Sequence, residues 1–107
     1  TSGELIASYI TQQYPKDIVG EAKKGTVEFT VSIDRSGNIK NLNLISSSGI
    51  EKMDRTARLA ITRGWQFKSY KLAYKIPIVV NFNVNAEGNP RIDVILGEVE
   101  FKEVKAE

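Results

Sequence analysis

Side chains that could carry out chemistry are few in this sequence. The chain contains no His and no Cys, which removes Ser-His-Asp and Cys-His nucleophilic sites, acid–base catalysis by His and nearly every zinc, copper or iron site. The acidic candidates are Asp34, Glu51 and Asp54, but no His or metal-ligand set accompanies these carboxylates. The sequence therefore argues against a hydrolase or a metalloenzyme, and it predicts neither a catalytic residue nor a cofactor.

Basic and aromatic side chains are the remaining candidates for contacts with a partner. Arg55, Arg58 and Arg63 fall within one predicted helix and could meet an acidic partner, although charges spaced in this way usually face solvent. Trp65 and Phe67 follow that helix, and aromatic residues at such a junction belong to the core more often than to an interface. These residues alone do not identify a binding site.

Length and charge restrict the protein classes further. At roughly 100–200 residues per domain, a chain of 107 residues forms one domain. Fifteen Lys and Arg against 13 Asp and Glu give a net charge of +2, too small to indicate a nucleic acid or an anionic membrane as the partner. The sequence has no long apolar run and no export signal, and its start without Met leads us to expect a piece of a longer protein.

Three helices are predicted from periodicity and capping signals. Apolar residues recur at helical spacing over 4–13, and Pro15 is placed to begin a second short helix over 15–24. The main helix is predicted over 50–63, where Ser48 and Glu51 form a capping-box pattern.

Alternation of apolar and polar residues predicts an antiparallel sheet. The alternating segments, which we interpret as strands, are 26–33, 39–45, 75–85 and 91–104. The first two are joined by turn residues as a hairpin, and a change of face between Leu44 and Ile45 indicates a bulge or the end of a strand. Trp65-Gln66-Phe67 is predicted to be extended. Pro77 places part of its strand at an edge or beyond the paired region, and the last strand is interrupted near Gly97.

The order of these elements and several short motifs together resemble one known family. The segments that carry the resemblance are Tyr14-Pro15, Gly25-Thr26-Val27, Asp34-Arg35-Ser36-Gly37, Ser47-Ser48-Gly49, Asp54 and Ala57 within the helix, Arg63-Gly64-Trp65-Gln66-Phe67, and Ile76-Pro77-Ile78-Val79-Val80-Asn81-Phe82. In this order and at this spacing they resemble the C-terminal domain family of TonB, a periplasmic energy transducer. The resemblance divides the single domain into an N-terminal helix at 1–13, a family-like core at 14–84 and a C-terminal extension at 85–107.

The resemblance implies an α+β fold and a role without catalysis. The implied fold is a small antiparallel sheet of three strands, here with a fourth C-terminal strand, and helices packed on one face. In this family the domain lies in the periplasm, at the end of a chain anchored in the inner membrane. It captures the TonB box, a short extended segment of outer-membrane transporters. It then passes on energy of the proton gradient from an ExbB–ExbD complex for the uptake of nutrients such as iron siderophores.

The resemblance also implies a partner-binding site made largely of backbone. An open sheet edge offers unpaired N–H and C=O groups, to which an extended partner segment can add as a strand. The family's receiving edge maps to the strand 76–84, and the implied partner-binding residues are Gln13, Tyr14, Ile76, Ile78, Val79, Val80, Asn81, Phe82, Asn83 and Val84. Thr11 and Gln12 stand where the family often has a Gln-Pro pair, so contacts with a partner differ at that point.

The segment after Val84 leaves alternatives open. The predicted strand over 91–104 could fold back on the receiving edge, and binding would then require its displacement, a strand-swapped dimer or another docking surface. A rival interpretation is a TolA-like or self-associating scaffold domain of the cell envelope that captures no transporter.

Overall fold

The computed structural model describes residues 1–9, 14–16, 21 and 23–103. Its elements in chain order are a 3₁₀ helix at Ser2–Leu5, strand β1 at Ile6–Ser8, β2 at Gly25–Ile33, β3 at Ile39–Ser46, helix α1 at Glu51–Gly64, β4 at Gln66–Phe67, β5 at Tyr74–Val84, β6 at Pro90–Leu96 and β7 at Glu100–Phe101. The predicted class, a small α+β domain, is confirmed. Within the described ranges, no helical segment has the length and apolar character needed to cross a membrane.

The main sheet is antiparallel and has β2 and β5 at its centre. Its strand order is β3–β2–β5–β6, and β7 pairs with β5 beyond the end of β6. β1 and β4 form a separate two-stranded sheet. The predicted strands over 26–33, 39–45, 75–85 and 91–104 are therefore found, with the last one divided at the interruption predicted near Gly97.

The β2–β3 hairpin has the turn and the bulge that the sequence predicts. Asp34 Oδ1 accepts hydrogen bonds of 2.9 Å from the backbone N–H groups of Ser36 and Asn38. Those bonds hold the pKa of Asp34 below its ordinary value. Phe29 lies opposite Leu44, whereas Glu28 lies opposite Ser46, so the bulge leaves Ile45 without an opposite residue.

One face of the main sheet forms the core with α1. Alternate residues of the two central strands point to this face and are buried, and α1 supplies a buried stripe at helical spacing. These residues are Val27, Phe29, Val31 and Ile33 of β2, Met53, Ala57 and Ile61 of α1, and Ile76, Ile78, Val80 and Phe82 of β5. The predicted packing of helix against one face is thus found for α1, while the opposite face carries half-buried or exposed side chains.

The prediction of a helix over 4–13 is wrong for its described part. The chain forms only a 3₁₀ helix up to Leu5 and then continues as β1, with Ile6 opposite Phe67. Lys68 N donates a 2.8 Å hydrogen bond to Leu5 O. An isolated helix of this length is marginal in water, so pairing with β4 decides the local structure. Residues 10–13 and half of the second predicted helix, 15–24, lie outside the described residues.

The start of α1 also differs from the predicted capping box. Asp54, not Glu51, reaches back: its carboxylate accepts hydrogen bonds from Ser48 N at 2.9 Å, from Ser48 Oγ at 2.6 Å and from Ser47 Oγ. The helix begins at Glu51, so Asp54 lies one turn further in and can cover the preceding serines. Partial burial raises the pKa of Asp54, but these hydrogen bonds outweigh it and lower the pKa below the ordinary value.

Candidate functional site

The predicted receiving strand is β5, and both of its backbone edges are paired. On one side the register with β2 runs from Gly25 opposite Phe82 to Ile33 opposite Tyr74. On the other side the register with β6 runs from Ile78 opposite Leu96 to Val84 opposite Pro90. The edge that the family resemblance assigns to a partner is therefore covered by the chain's own C-terminal strand.

The predicted site residues on β5 divide between the two faces of the sheet. Ile76, Ile78, Val80 and Phe82 are 0% exposed, so their side chains serve the core and only their backbone could meet a partner. Val79, Asn81 and Asn83 alternate with them on the outer face and are half-buried, as is Val84 at the end of the strand. Asn81 accepts a 2.9 Å hydrogen bond from Thr26 Oγ1 of β2, which uses its amide oxygen within the sheet.

Tyr14 lies next to β5, although it is not itself on an edge. Its side chain is buried, contacts the Phe82 ring edge-to-face at 6.1 Å between centroids, and donates a hydrogen bond from its hydroxyl to Lys23 O. Burial raises the pKa of the Tyr14 hydroxyl. The structure thus brings Tyr14 and the receiving strand together through the core, and Gln13 lies outside the described residues.

A tight turn delivers β6 to the edge of β5. Asn85 Oδ1 accepts hydrogen bonds from Glu87 N at 3.0 Å and from Asn89 N at 2.9 Å, and Asn85 N donates to Asn89 O at 2.9 Å. Gly88 adopts φ 81°, a backbone conformation that glycine takes without steric cost. The turn therefore fixes the register in which β6 returns.

The break between β6 and β7 is fitted to Pro77. Proline has no N–H to donate to a ladder, and it lies where β6 has ended and β7 has not begun. Gly97 N donates a 2.8 Å hydrogen bond to Pro77 O, and a Cβ on Gly97 would come within 2.8 Å of the proline ring. The sequence signal for this junction is a glycine within an alternating segment and a proline in the neighbouring strand, but that signal does not reveal that the two residues meet.

Beyond the junction, β7 is held mainly by an aromatic cluster. The Phe101 ring stacks on Tyr70 at 4.9 Å between centroids and meets Tyr74 at 6.2 Å. Lys102 N donates a 2.8 Å hydrogen bond to Ala73 O. Phe101 is nevertheless 37% exposed, so this aromatic cluster lies at the surface.

Burial shows that β6 is attached less deeply than β2. No residue of β6 is fully buried: Ile92, Val94 and Leu96 on the core face are half-buried, and Ile95 on the outer face is 57% exposed. β2 contributes four side chains that are at most 2% exposed. Because the burial of apolar side chains holds a strand in place more strongly than its backbone hydrogen bonds do, removing β6 from β5 costs far less than removing β2.

The site as folded is a sheet edge paired by β6. Among the described residues, no group of three or more acidic side chains is placed to hold a metal ion. The lowered pKa values of Asp34 and Asp54 have structural causes, because the hydrogen bonds responsible lie within a turn and at a helix start.

Comparison with known proteins identifies the family. Residues 11–86 match the family described as Gram-negative bacterial TonB protein C-terminal, a stretch that includes β2, β3, α1 and β5 and stops before β6. The chain is also 31% identical to Protein TonB of Vibrio cholerae serotype O1 (strain ATCC 39315 / El Tor Inaba N16961), over 75% of this chain and 34% of that protein. The chain thus spans about a third of the length of this relative. From these two matches and the fold that accompanies them, we conclude that the chain belongs to the TonB C-terminal domain family.

Proposed function

We propose that this domain binds the TonB box of outer-membrane transporters by adding it to β5 in place of β6. It does so in the periplasm, as the terminal part of an energy transducer anchored in the inner membrane. Energy from the proton gradient reaches it from an ExbB–ExbD complex through parts of the protein that precede this domain. The outcome is the uptake of nutrients such as iron siderophores, and the role is one of protein–protein interaction without catalysis.

The observation that carries the proposal is the position of β6 relative to the family match. The matched residues end at residue 86, immediately after β5, whereas β6 begins at Pro90. β6 therefore lies outside the matched residues, on the edge of the core that they form, and its core-face side chains are only half-buried. A partner strand that replaced β6 would form hydrogen bonds with the same backbone groups of β5.

The exchange of strands is close to neutral in hydrogen bonding. A backbone hydrogen bond contributes roughly 0.5–1.5 kcal/mol net, and the ladder lost from β6 is regained with the incoming strand. Binding is then determined by the side chains that the partner places beside Ile78, Val80 and Phe82 on the core face. Because backbone groups supply most of the contact, one domain can serve several transporters.

A disulfide that locks β6 in place tests the proposal directly. Val79 and Ile95 lie opposite each other on the outer face, at a separation typical of antiparallel pairs, which a disulfide can span. The chain has no other Cys, so Val79→Cys/Ile95→Cys forms one defined bridge. We expect the oxidised variant to bind a synthetic TonB-box peptide about tenfold or more weakly than its reduced form, as measured by calorimetry.

The control places the same kind of bridge on the other side of the sheet. Thr30 and Asn43 are also directly opposite each other, in the β2–β3 hairpin, so Thr30→Cys/Asn43→Cys stiffens the sheet without holding β6. Its oxidation should leave peptide affinity unchanged. Equal binding by both forms of the β5–β6 lock would refute strand replacement. Self-association without any peptide binding would favour the alternative of a TolA-like or self-associating scaffold.

A further inference from the structure

We infer that β3 forms a second strand-addition site, which takes an extended segment with acidic side chains from a partner protein. This inference is independent of the proposed exchange at β5, because it uses the opposite edge of the sheet. Its basis is the juxtaposition of a strand edge that no described strand pairs, a groove beside that edge and three arginines that line the groove.

β3 is an edge strand that nothing in the described part of the chain covers. It pairs with β2 on one side, and no described strand pairs with its other side. It runs over eight residues, which is long for an unprotected edge. Leu44 and Ile45 are 52% and 57% exposed. Two features of this strand discourage edge-to-edge pairing. One is the bulge at Ile45, and the other is Lys40, the single charged residue of β3.

A groove with both apolar and charged lining residues runs between β3 and α1 on the core face of the sheet. Its apolar lining includes Leu42, Leu44 and Leu59, and its volume is about 770 Å³. A strand added to β3 places alternate side chains on this face, beside Leu42 and Leu44. The groove would therefore contact the side chains of an added strand and determine which partner segments bind.

Charge determines which side chains the groove selects. Arg55, Arg58 and Arg63 of α1 line it, and none of the three forms an ion pair within the described residues. The groove also has two carboxylates, of which Asp54 is engaged by Ser47 and Ser48, so Glu51 is set against the three arginines. Carboxylates on an incoming strand would pair with the arginines, for which the guanidinium fork is suited. The groove thus fits a strand with acidic residues facing α1.

A designed peptide tests the site. The probe is a blocked nine-residue peptide with Thr at odd positions and Glu, Leu, Glu, Glu at even positions, and its counterpart carries Lys for each Glu. We expect the Glu peptide to bind about tenfold or more tightly than the Lys peptide at low salt, and the difference to shrink at high salt. The amide NMR shifts that respond should be those of residues 39–46.

Two substitutions and one control identify the residues responsible. Arg58→Glu should weaken the Glu peptide about tenfold or more, and Leu44→Asp should do the same by placing a carboxylate in the groove. Arg35→Glu changes the net charge equally but lies in the exposed hairpin turn, outside the groove, so it should leave affinity within about twofold. Unchanged thermal unfolding would confirm that the variants are folded.

The outcomes separate this site from the one on β5. The oxidised Val79→Cys/Ile95→Cys lock should bind the Glu peptide as the reduced form does, since β3 is untouched. Shifts confined to residues 78–96, or no effect of Arg58→Glu, would overturn the inference. Protection of the β3 amides by concentration-dependent dimerisation without peptide would also overturn it, because a second copy would then occupy the edge.

Discussion

β2 and β6 flank the same strand, yet they are attached to it in different ways. On the β2 side four core-face side chains opposite β5 are at most 2% exposed, and α1 lies over the same face. On the β6 side the core-face residues are half-buried, and the strand breaks after Leu96 because Pro77 cannot donate to a continuous ladder. β2 pairs with β5 over nine residues and β6 over seven, so the larger difference lies in how deeply the apolar side chains of each strand are buried.

This difference makes β6 the neighbour of β5 that costs less to displace. Local opening in proteins begins where few apolar contacts are lost, and that condition is met by β6. The family match includes β2 and ends before β6. Substitutions on the two sides of β5 test whether the attachment of β2 and β6 differs as the burial indicates.

The largest effect is expected from two matched valines. Val27 and Val94 lie opposite Val80 on its two sides, and Val27 is fully buried whereas Val94 is half-buried. We expect Val27→Ala to lower the free energy of unfolding by about 2–3 kcal/mol and Val94→Ala by about 1 kcal/mol or less. Urea unfolding measures both values. Equal losses would contradict the view that β6 is the weaker neighbour.

An intermediate effect is expected at the junction between β6 and β7. Gly97→Ala brings a Cβ within 2.8 Å of the rigid Pro77 ring, and overpacking of this kind costs about 1–2 kcal/mol. Hydrogen exchange should become faster in β6 and β7 while β2 is unaffected. The double variant Gly97→Ala/Pro77→Ala removes the ring and should recover most of the loss. If the double variant exchanges as fast as the single one, the contact with Pro77 is not the cause.

The smallest loss of stability is expected from a substitution of Asp54, in the helix α1 that packs over β2. Asp54→Ala removes the hydrogen bonds to Ser47 and Ser48 and should cost about 1 kcal/mol at neutral pH. The folded-state pKa of Asp54 is lowered, so its contribution is present above the unfolded-state pKa of about 3.9 and is lost as the pH falls through the lower folded-state value. The difference between wild type and variant should therefore shrink in acid.

Glu51→Ala is the matched control for that measurement. Glu51 is the partner that the capping-box pattern predicts, but among the described residues its carboxylate accepts no capping hydrogen bond at the helix start. Its removal should change stability by only about 0.3–0.5 kcal/mol. A larger loss than for Asp54→Ala would mean that the assignment of the cap is wrong.

Much of the fold can be predicted because its signals are local. Strict alternation over 26–33 and 75–85 identifies β2 and β5, and the face change at Leu44-Ile45 locates the bulge. The predicted N-terminal helix is wrong because a short amphipathic pattern competes with a pairing that the sequence does not display, namely Ile6 with Phe67. The pattern assigns the cap to the wrong carboxylate because Glu51 and Asp54 both follow the serines at plausible distances.

The candidate site, like the fold, can be predicted only where its signals are local in the sequence. Motifs around Tyr14, residues 63–67 and residues 76–82 indicate the family and its receiving strand, since side-chain patterns are present in the sequence. Whether the edge of that strand is open depends on where β6 returns, and whether β3 is covered depends on the whole sheet. Backbone N–H and C=O groups are identical at nearly every residue, so the sequence carries no direct record of which are paired.

The class of the domain, its family and the two faces of its central strands follow from the amino-acid sequence, because periodic burial and turn chemistry act over a few residues. The folded chain was needed to establish that β6 occupies the edge of β5 and that Gly97 meets Pro77. It was also needed to show that Arg55, Arg58 and Arg63 line a groove beside β3, whose outer edge no described strand pairs. These features arise from contacts between distant segments, where apolar area, shape and charge are matched across the molecule.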